Sequence, residues 1–258
     1  MTAGIKAEFR KLFSVRSTYI LIALALVYML FYDFYIIGFK GGIHTDSVAG
    51  LNNPHYIMTE VTRAGGIAAP ILFSSIIAVL LMAHEYRYNT IMYTLTSSNS
   101  RNKTLIAKII AVTGFSIVFS LLLEVLAPLL AYAGIHLHHL SLAHQIFYYR
   151  DFFWRVLFFG WAYAMIGLLL AIFFRNIIAS VVALFLLPVT IEPLIGLLLS
   201  TYRQQYLPFT SLTAVLNNGL LRQGPGLLSA ERSAVVVLIY LVIGWIIAWI
   251  LFLRRDSN

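Results

Sequence analysis

The stretch AHEYRYNTIMYTLTSSNSRNKT, from Ala83 to Thr104, is polar and charged, although it lies between two long apolar runs. The 258-residue chain is 60% hydrophobic and only 11% charged. A soluble domain of this length cannot bury so much apolar surface, because about half of a globular surface must be wettable. The contrast indicates a polytopic membrane protein in which this stretch connects two membrane spans.

Apolar runs of roughly twenty residues are long enough to cross about 30 Å of hydrocarbon as helices. We predict an all-α protein whose single transmembrane domain covers residues 1–258. Because the first run is much longer than the ~7–15 residues of a cleavable signal core, we expect it to be retained. The sequence lacks cysteine, which excludes disulfides and thiolate metal sites. The six predicted spans are approximately 18–39, 66–84, 104–134, 153–174, 177–200 and 233–253.

The basic residues are distributed unevenly between the two sides of the predicted membrane domain. Six spans place both termini on one side, and that side carries eleven of the 18 Lys and Arg residues. By the positive-inside rule this side is cytoplasmic, so we expect a plasma-membrane protein with both termini in the cytoplasm and no nucleic-acid partner. The eleven are Lys6, Arg10, Lys11, Arg16, Arg87, Arg101, Lys103, Lys108, Arg175, Arg254 and Arg255.

The N-terminal segment, residues 1–17, has the pattern of an interfacial helix. Ile5, Phe9, Leu12 and Phe13 share one helical stripe, and Lys6, Arg10 and Lys11 lie off it. Such a helix would place its aromatics at the acyl boundary and its cations near lipid phosphates. A topogenic basic tail is the alternative.

Three connections carry further signals. The FFRNIIAS motif predicts a tight turn at Arg175 and Asn176, which makes the fourth and fifth spans an antiparallel pair. Residues 201–232 form an amphipathic outer segment, expected to lie at the interface or to dip into the membrane and return. One loop holds four histidines, which would suit either a transition metal or a wet interfacial loop, and we predict no metal site. They are His136, His138, His139 and His144.

Three acidic residues, Asp33, Glu124 and Glu192, fall within predicted spans, where an ionised carboxylate is costly. They predict either an ion or substrate pathway, or carboxylates wetted near the outer helix ends. Pro188 and Pro193 flank Glu192 and predict a kink or break in the fifth span.

Enzyme motifs that would suit such a chain are missing. No lysine follows a glycine, so the phosphate-binding loop of ATP-hydrolysing proteins is excluded. The only Gly-x-Ser, at Gly114, is not followed by the glycine of rhomboid-like proteases, and His84-Glu85 lacks the second histidine of a zincin. We therefore predict a protein that is not an enzyme.

Within the opening stretch, apolar residues recur at helical spacing over two turns, and SSNS at 97–100 closes the helix. A short amphipathic helix between spans can lie on lipid or fit a groove on a cytoplasmic partner. The apolar positions are Tyr88, Ile91, Met92 and Leu95.

The stretch resembles the permease subunits of type-2 ABC exporters (the ABC-2 family). In that family a glutamate ends the second span, a threonine lies on the short helix, an arginine follows a small-residue turn and a lysine opens the third span. The matching residues are Glu85, Thr90, Arg101 and Lys108. The sequence departs from the family at Asn89, where glycine is frequent, and in the SSNS turn, where proline is frequent.

The resemblance implies that residues 85–103 form a coupling helix and turn that fit a cleft of a separate ABC ATPase, with Glu85 and Arg87 as polar anchors. It implies that residues 1–17 form an elbow helix contacting the ATPase, through Ile5, Phe9, Arg10 and Phe13. Two permease chains, identical or paralogous, and two ATPase subunits are then expected. No cofactor would be bound by this chain, because ATP and Mg would bind the ATPase.

The resemblance further implies a pathway between the second and fifth spans for a peptide antibiotic, a lipid-like molecule or a drug. The predicted lining residues are Phe73, Ser74, Ile77, Leu184, Leu187, Thr190 and Glu192. Two other functions stay open at this point: an ion-coupled transporter that uses the intramembrane carboxylates, and an ATPase-coupled sensor. The sequence leaves the substrate open.

Overall fold

The computed structural model describes residues 2–37, 67–88, 90, 93, 101–137, 150–217 and 228–254. In these residues the chain is helical apart from short turns and has no strand. Six helices are long and apolar enough to cross a membrane, which confirms the predicted all-α polytopic fold. The six membrane-length segments are Arg16–Phe34, Ala69–Arg87, Arg101–Leu130, Phe153–Phe174, Ile177–Leu198 and Ala230–Arg254.

Two helices extend beyond their apolar runs at the ends that flank the opening stretch. The helix of the second span continues to Arg87, past the predicted end at 84. The helix of the third span, Arg101–Leu137, begins before the predicted start at 104. Hydropathy marks only the part of a helix that lies in hydrocarbon, whereas the helical hydrogen-bond ladder continues into the headgroup region.

The first and fifth spans change their helical winding. The fifth span is α-helical over Ile177–Leu186, π-helical over Leu187–Ile191 and α-helical again over Glu192–Leu198. Pro188, which has no backbone N–H to donate, lies at the start of this change, and the irregularity predicted here takes the form of a change of winding within one continuous helix, Ile177–Leu198. The first span, Arg16–Met29, continues as a π-helix over Leu30–Ile37, which the sequence did not predict.

The predicted tight turn between the fourth and fifth spans is present. The fourth span, Arg150–Phe174, ends one residue before Arg175, whose φ of 53° lies in the left-handed region. The Asn176 side chain then caps the fifth span by accepting hydrogen bonds from the amides of Ile178, at 2.8 Å, and Ala179, at 3.2 Å.

The second and fourth spans form the centre of the bundle. Buried residues make up 61% and 67% of their apolar stretches, against 22%, 17% and 22% in the first, fifth and sixth spans. The two central helices approach closely at Gly167, where an added Cβ would lie 2.5 Å from the Ser75 carbonyl oxygen. Small residues allow such an approach in membranes, where van der Waals packing drives helix association.

After the fifth span the chain turns through Thr201–Gln204 and forms a helix over Pro208–Asn217. This helix packs on the fourth and sixth spans. The Phe209 ring lies 5.9 Å from the ring of Tyr163, about midway along the fourth span. The described part of the outer segment therefore packs against the spans, and its placement relative to the membrane surface stays a prediction.

We expect Gly167→Ala to destabilise the protein, because the new methyl group must displace backbone at Ser75; overpacking of this kind costs about 1–3 kcal/mol. Gly196→Ala is the matched control, since its Cβ would meet its nearest neighbour at 3.8 Å. Thermal unfolding in detergent would show a lower midpoint for Gly167→Ala and an unchanged or higher midpoint for Gly196→Ala. Equal midpoints would contradict the close packing.

Candidate functional site

Four charged side chains from three helices meet at one end of the bundle. Glu8 and Lys11 lie on the N-terminal helix, Thr2–Ser14; Glu85 lies near the end of the second span, and Lys108 lies two turns into the third. Val15 is extended, with φ −90° and ψ 124°, and separates the N-terminal helix from the first span. We call these four residues the charge cluster and the end of the bundle that holds them the basal end.

Each lysine of the charge cluster contacts both glutamates. Lys11 Nζ lies 2.8 Å from Glu8 Oε1 and 2.6 Å from Glu85 Oε1. Lys108 Nζ lies 2.8 Å from Glu8 Oε2 and 2.8 Å from Glu85 Oε1. Two of the four ion pairs, Lys11–Glu85 and Lys108–Glu8, therefore connect the N-terminal helix to the second and third spans, and a third, Lys108–Glu85, connects those two spans to each other.

Burial makes the pairing mandatory for these side chains. Lys108 is 0% exposed, Glu8 3% and Glu85 5%. A buried ion costs several kcal/mol unless it is paired, and two lysines with two glutamates leave no net charge. At Lys11, burial favours the neutral amine, but hydrogen bonds and attraction from Glu8 and Glu85 outweigh it and raise its pKa above the ordinary value.

Aromatic packing holds the N-terminal helix against the third span beside the cluster. The tip of Phe9 fills the space above Gly114, where an added Cβ would lie 2.9 Å from Phe9 Cζ. The Phe13 ring meets the Phe115 ring edge-on at 6.2 Å, and Phe13 stays 43% exposed. Ile5 is half-buried and Arg10 is exposed.

These contacts correct two details of the expected interfacial helix. Phe9 packs against protein, whereas the sequence placed it at the acyl boundary. Lys11 turns toward Glu8 and Glu85, whereas the sequence placed it near lipid phosphates. The physical reason is that a buried carboxylate on the same helix, Glu8, attracts the nearer lysine more strongly than the interface does.

The basal end also gathers the ends of the other spans. Arg175, in the turn between the fourth and fifth spans, lies with its guanidinium carbon 5.1 Å from the centre of the Tyr86 ring. Arg101, at the start of the third span, donates a 2.9 Å hydrogen bond to the Leu253 carbonyl at the end of the sixth. The N-terminal helix and the end of the sixth span therefore lie at the same end of the bundle.

Several predicted coupling residues come together beside the charge cluster. Glu85, Arg87, Tyr88 and Thr90 line one cleft with the end of the N-terminal helix. The Thr90 amide donates to the Glu85 carbonyl at 3.0 Å. Arg101 lies at the start of the third span, bonded to Leu253 as stated above. Ile91, Met92 and Leu95 lie outside the described residues.

The predicted pathway residues are mostly packed side chains within this chain. Ser74, Ile77 and Leu184 are buried, and Phe73 and Leu187 are half-buried. The Ser74 hydroxyl donates to the Ile71 carbonyl of its own helix at 2.7 Å. Thr190 is exposed. The assignment of these residues to a pathway stays a prediction.

Glu192 has a structural partner that the sequence did not reveal. Its carboxylate accepts a 2.8 Å hydrogen bond from the Phe209 amide and a second from the Thr210 amide. These amides begin the helix Pro208–Asn217, where intrahelical acceptors are missing. The buried carboxylate therefore caps the first turn of this helix.

The other two intramembrane carboxylates differ from Glu192. Asp33 and Glu124 are buried, and neither carboxylate has a hydrogen-bond partner among the residues that the structure describes. The same part of the chain holds no group of three His, Asp or Glu side chains suited to a metal. His138, His139 and His144 lie outside it.

Sequence reasoning missed Glu8 and did not connect Lys11 with Lys108. The available signal was one acidic residue in an otherwise basic helix, next to a lysine one turn away. Periodicity placed Lys11 off the apolar stripe and left Glu8 unassigned, because their partners on the second and third spans are far along the chain.

The family model described as ABC-2 family transporter protein matches residues 4–191. The chain belongs to the ABC-2 transporter family. The match includes the N-terminal helix, the whole charge cluster and the turn at Arg175, and this ABC-2 protein is therefore a multi-pass transport permease. No curated protein matches the sequence.

We expect Lys108→Met to destabilise the ABC-2 protein by about 3–5 kcal/mol, because it leaves buried carboxylates with one cation between them. Glu8→Gln should also destabilise it. The double variant keeps the neutral Lys11–Glu85 pair, so its cost should fall below the sum of the single costs by about 1–3 kcal/mol.

Reversible unfolding of the purified protein in mixed micelles measures these costs. Lys6→Met, which removes an exposed cation from the same N-terminal helix, is the control and should change the free energy of unfolding little. Additive costs for the two cluster substitutions would show that the ion pairs are not energetically coupled.

Proposed function

We propose that this ABC-2 protein is the permease subunit of an ATP-driven exporter whose ATPase subunits bind at the basal end. The observation that carries the proposal is the charge cluster, which joins the N-terminal helix, the second span and the third span directly beside the coupling segment. ATP and Mg would bind the partner, because this chain has no phosphate-binding loop.

The cluster provides a mechanism for transmitting force. A partner that pushes on the segment after Arg87 acts on Glu85 two residues earlier in the same helix. Because Glu85 pairs with Lys11 and Lys108, the N-terminal helix and the third span would move with the second span as one unit. Breaking these buried ion pairs costs several kcal/mol, which favours joint motion over separation.

The exposed apolar faces of the bundle suit a second permease chain. Of the six apolar stretches, the fifth span has the smallest buried share, 17%, and the first span has 22%. A dimer, identical or paralogous, would cover part of these faces and place the exposed Thr190 side chain near the second chain. Two permease chains then require two ATPase subunits.

The proposed cargo is an amphipathic or hydrophobic molecule taken from the cytoplasm or the inner leaflet. The predicted pathway positions on the second and fifth spans are largely apolar, with Ser74 and Thr190 as hydroxyl groups. The export direction rests on the family resemblance. The proposed location is the plasma membrane with both termini cytoplasmic.

The ATPase partner is tested with a photo-crosslinking amino acid at Tyr93, which is 79% exposed in the coupling segment. Ultraviolet light should link Tyr93-substituted permease to a chain that mass spectrometry identifies as an ABC ATPase. The matched control is the same substitution at Tyr202, a 66% exposed tyrosine beyond the fifth span, which should give no such product.

Charge reversal in the coupling segment tests the same ATPase contact through its effect on ATP hydrolysis. Arg87→Glu combined with Leu95→Asp should abolish stimulation of the partner's ATP hydrolysis, whereas Arg203→Glu should leave it unchanged. Transport by the purified chain alone under an ion gradient would contradict the proposal and favour an ion-coupled transporter.

The orientation is tested by single cysteines, because the natural chain has none. Ser14→Cys, next to the first span, and Ser200→Cys, after the fifth, are both at exposed positions. In intact cells a membrane-impermeant maleimide should label Ser200→Cys only, and permeabilised cells should label both. Labelling of Ser14→Cys in intact cells would reverse the proposed topology.

A further inference from the structure

A cleft of about 690 Å³ lies at the basal end, between the start of the first span and the end of the second. Its volume falls within the range of about 300–1,000 Å³ that is typical of small-molecule sites. Exposed Arg16, Arg87 and Tyr88 on its wall show that it opens to the surface. The basal end of a membrane-spanning bundle lies at the level of the lipid headgroups.

One face of the second span changes from apolar to polar along the cleft. Ile77, Leu80 and Leu81 form its lower wall, and His84, Arg87 and Tyr88 continue the same stripe at the open end. Ten residues of helix from Ile77 to Arg87 rise about 15 Å. This is about half of the ~30 Å hydrocarbon thickness and therefore about the depth of one acyl chain.

The cleft carries an excess of positive charge. Its wall has three cations, Lys11, Arg16 and Arg87, and one carboxylate, Glu85. Lys11 is ion-paired with Glu85 at 2.6 Å, so its charge is balanced within the charge cluster. Arg16 and Arg87 lie outside the cluster and supply the surplus. Guanidinium groups bind phosphate in bidentate geometry.

The start of the first span adds hydrogen-bond donors to the same wall. Ser17 and Thr18 line the cleft in the first helical turn. The Thr18 amide donates to the Val15 carbonyl at 3.1 Å, so the side-chain hydroxyls are the donors that this turn offers. Hydroxyl donors beside two arginines suit a phosphodiester.

We propose that this cleft binds an anionic phospholipid. The phosphate lies between Arg16 and Arg87, and one acyl chain follows Ile77, Leu80 and Leu81 along the second span. Basic clefts between membrane helices at the headgroup level recognise anionic lipids in this way. The lipid joins the first span to the segment after the second, and its binding does not depend on the proposed ATPase partner.

The test uses the full-length protein, purified in a neutral detergent, and a fluorescent phosphatidylglycerol. Arg16→Gln/Arg87→Gln should weaken binding about tenfold or more, because two charge-assisted phosphate contacts are lost. Lys6→Gln/Arg254→Gln is the matched control: it removes two exposed basal cations that do not line the cleft and should leave affinity unchanged. Equal losses in both double variants would overturn the site, because they would indicate general charge attraction.

Two further variants test the headgroup contact and the acyl-chain contact separately, so that a loss of binding is not mistaken for misfolding. Arg16→Lys/Arg87→Lys keeps both charges but loses the bidentate geometry, so its affinity should lie between those of the natural protein and of Arg16→Gln/Arg87→Gln. Leu80→Trp keeps both arginines and fills the apolar wall, so it should also weaken lipid binding. Unchanged affinity in Leu80→Trp would overturn the placement of the chain.

Competition distinguishes the possible sources of the phosphate. Unlabelled phosphatidylglycerol should displace the probe, while phosphatidylcholine and inorganic phosphate should displace it poorly. Displacement by millimolar inorganic phosphate would identify a site for a soluble anion, and equal displacement by phosphatidylcholine would identify an unselective lipid surface. A purified ATPase subunit that displaces the lipid from Arg16 and Arg87 would show that protein occupies the cleft. Each of these three results would overturn the proposal.

Discussion

In the hydrocarbon layer no water is available to hydrogen-bond the backbone, so each backbone N–H and C=O group that this chain places there needs a partner within the protein. This constraint explains the main irregularities of the bundle. Where Pro188 removes an amide, the fifth span changes its winding. Where the helix Pro208–Asn217 packs on the fourth and sixth spans, the Glu192 carboxylate accepts from its first amides. At the end of the fifth span, the Gln204 amide donates to the Gly196 carbonyl at 2.6 Å.

The charge cluster meets a stricter constraint of the same kind. A buried Lys108 requires carboxylates, and the two carboxylates that reach it come from the N-terminal helix and from the end of the second span. An ion-pair network with no net charge avoids most of the free-energy penalty of burying single ions. Loss of one member leaves a buried charge without its partner and restores that penalty. The cluster is thus a rigid junction at the point where an ABC-2 permease would receive work from its ATPase.

The spans differ in how much of their surface is buried within the bundle. The second and fourth spans form a close centre, and Gly167 allows their backbones to approach. The first, fifth and sixth spans keep apolar surface on the outside, which suits lipid or a second chain. The basal cleft lies where the first of these outer spans meets the central second span, so a lipid bound there would contact both the first span and the coupling segment. Thermodynamically, such a ligand stabilises whichever arrangement of the two spans binds it better.

The sequence by itself determined the parts of this protein that depend on local pattern. Apolar runs of membrane length gave the six spans, the FRN motif gave the turn at Arg175 and Asn176, and the two prolines marked the place where the fifth span changes its winding. The residues Glu85, Thr90, Arg101 and Lys108 indicated the ABC-2 family by resemblance, because they follow one another in the order that the family shows. Only the tertiary structure decided the pairing of Glu8 with Lys108, the inward turn of Lys11 and the capping role of Glu192. These contacts join residues that are 100, 74 and 17 positions apart, and periodicity along one helix carries no information about which side chains of another helix lie opposite.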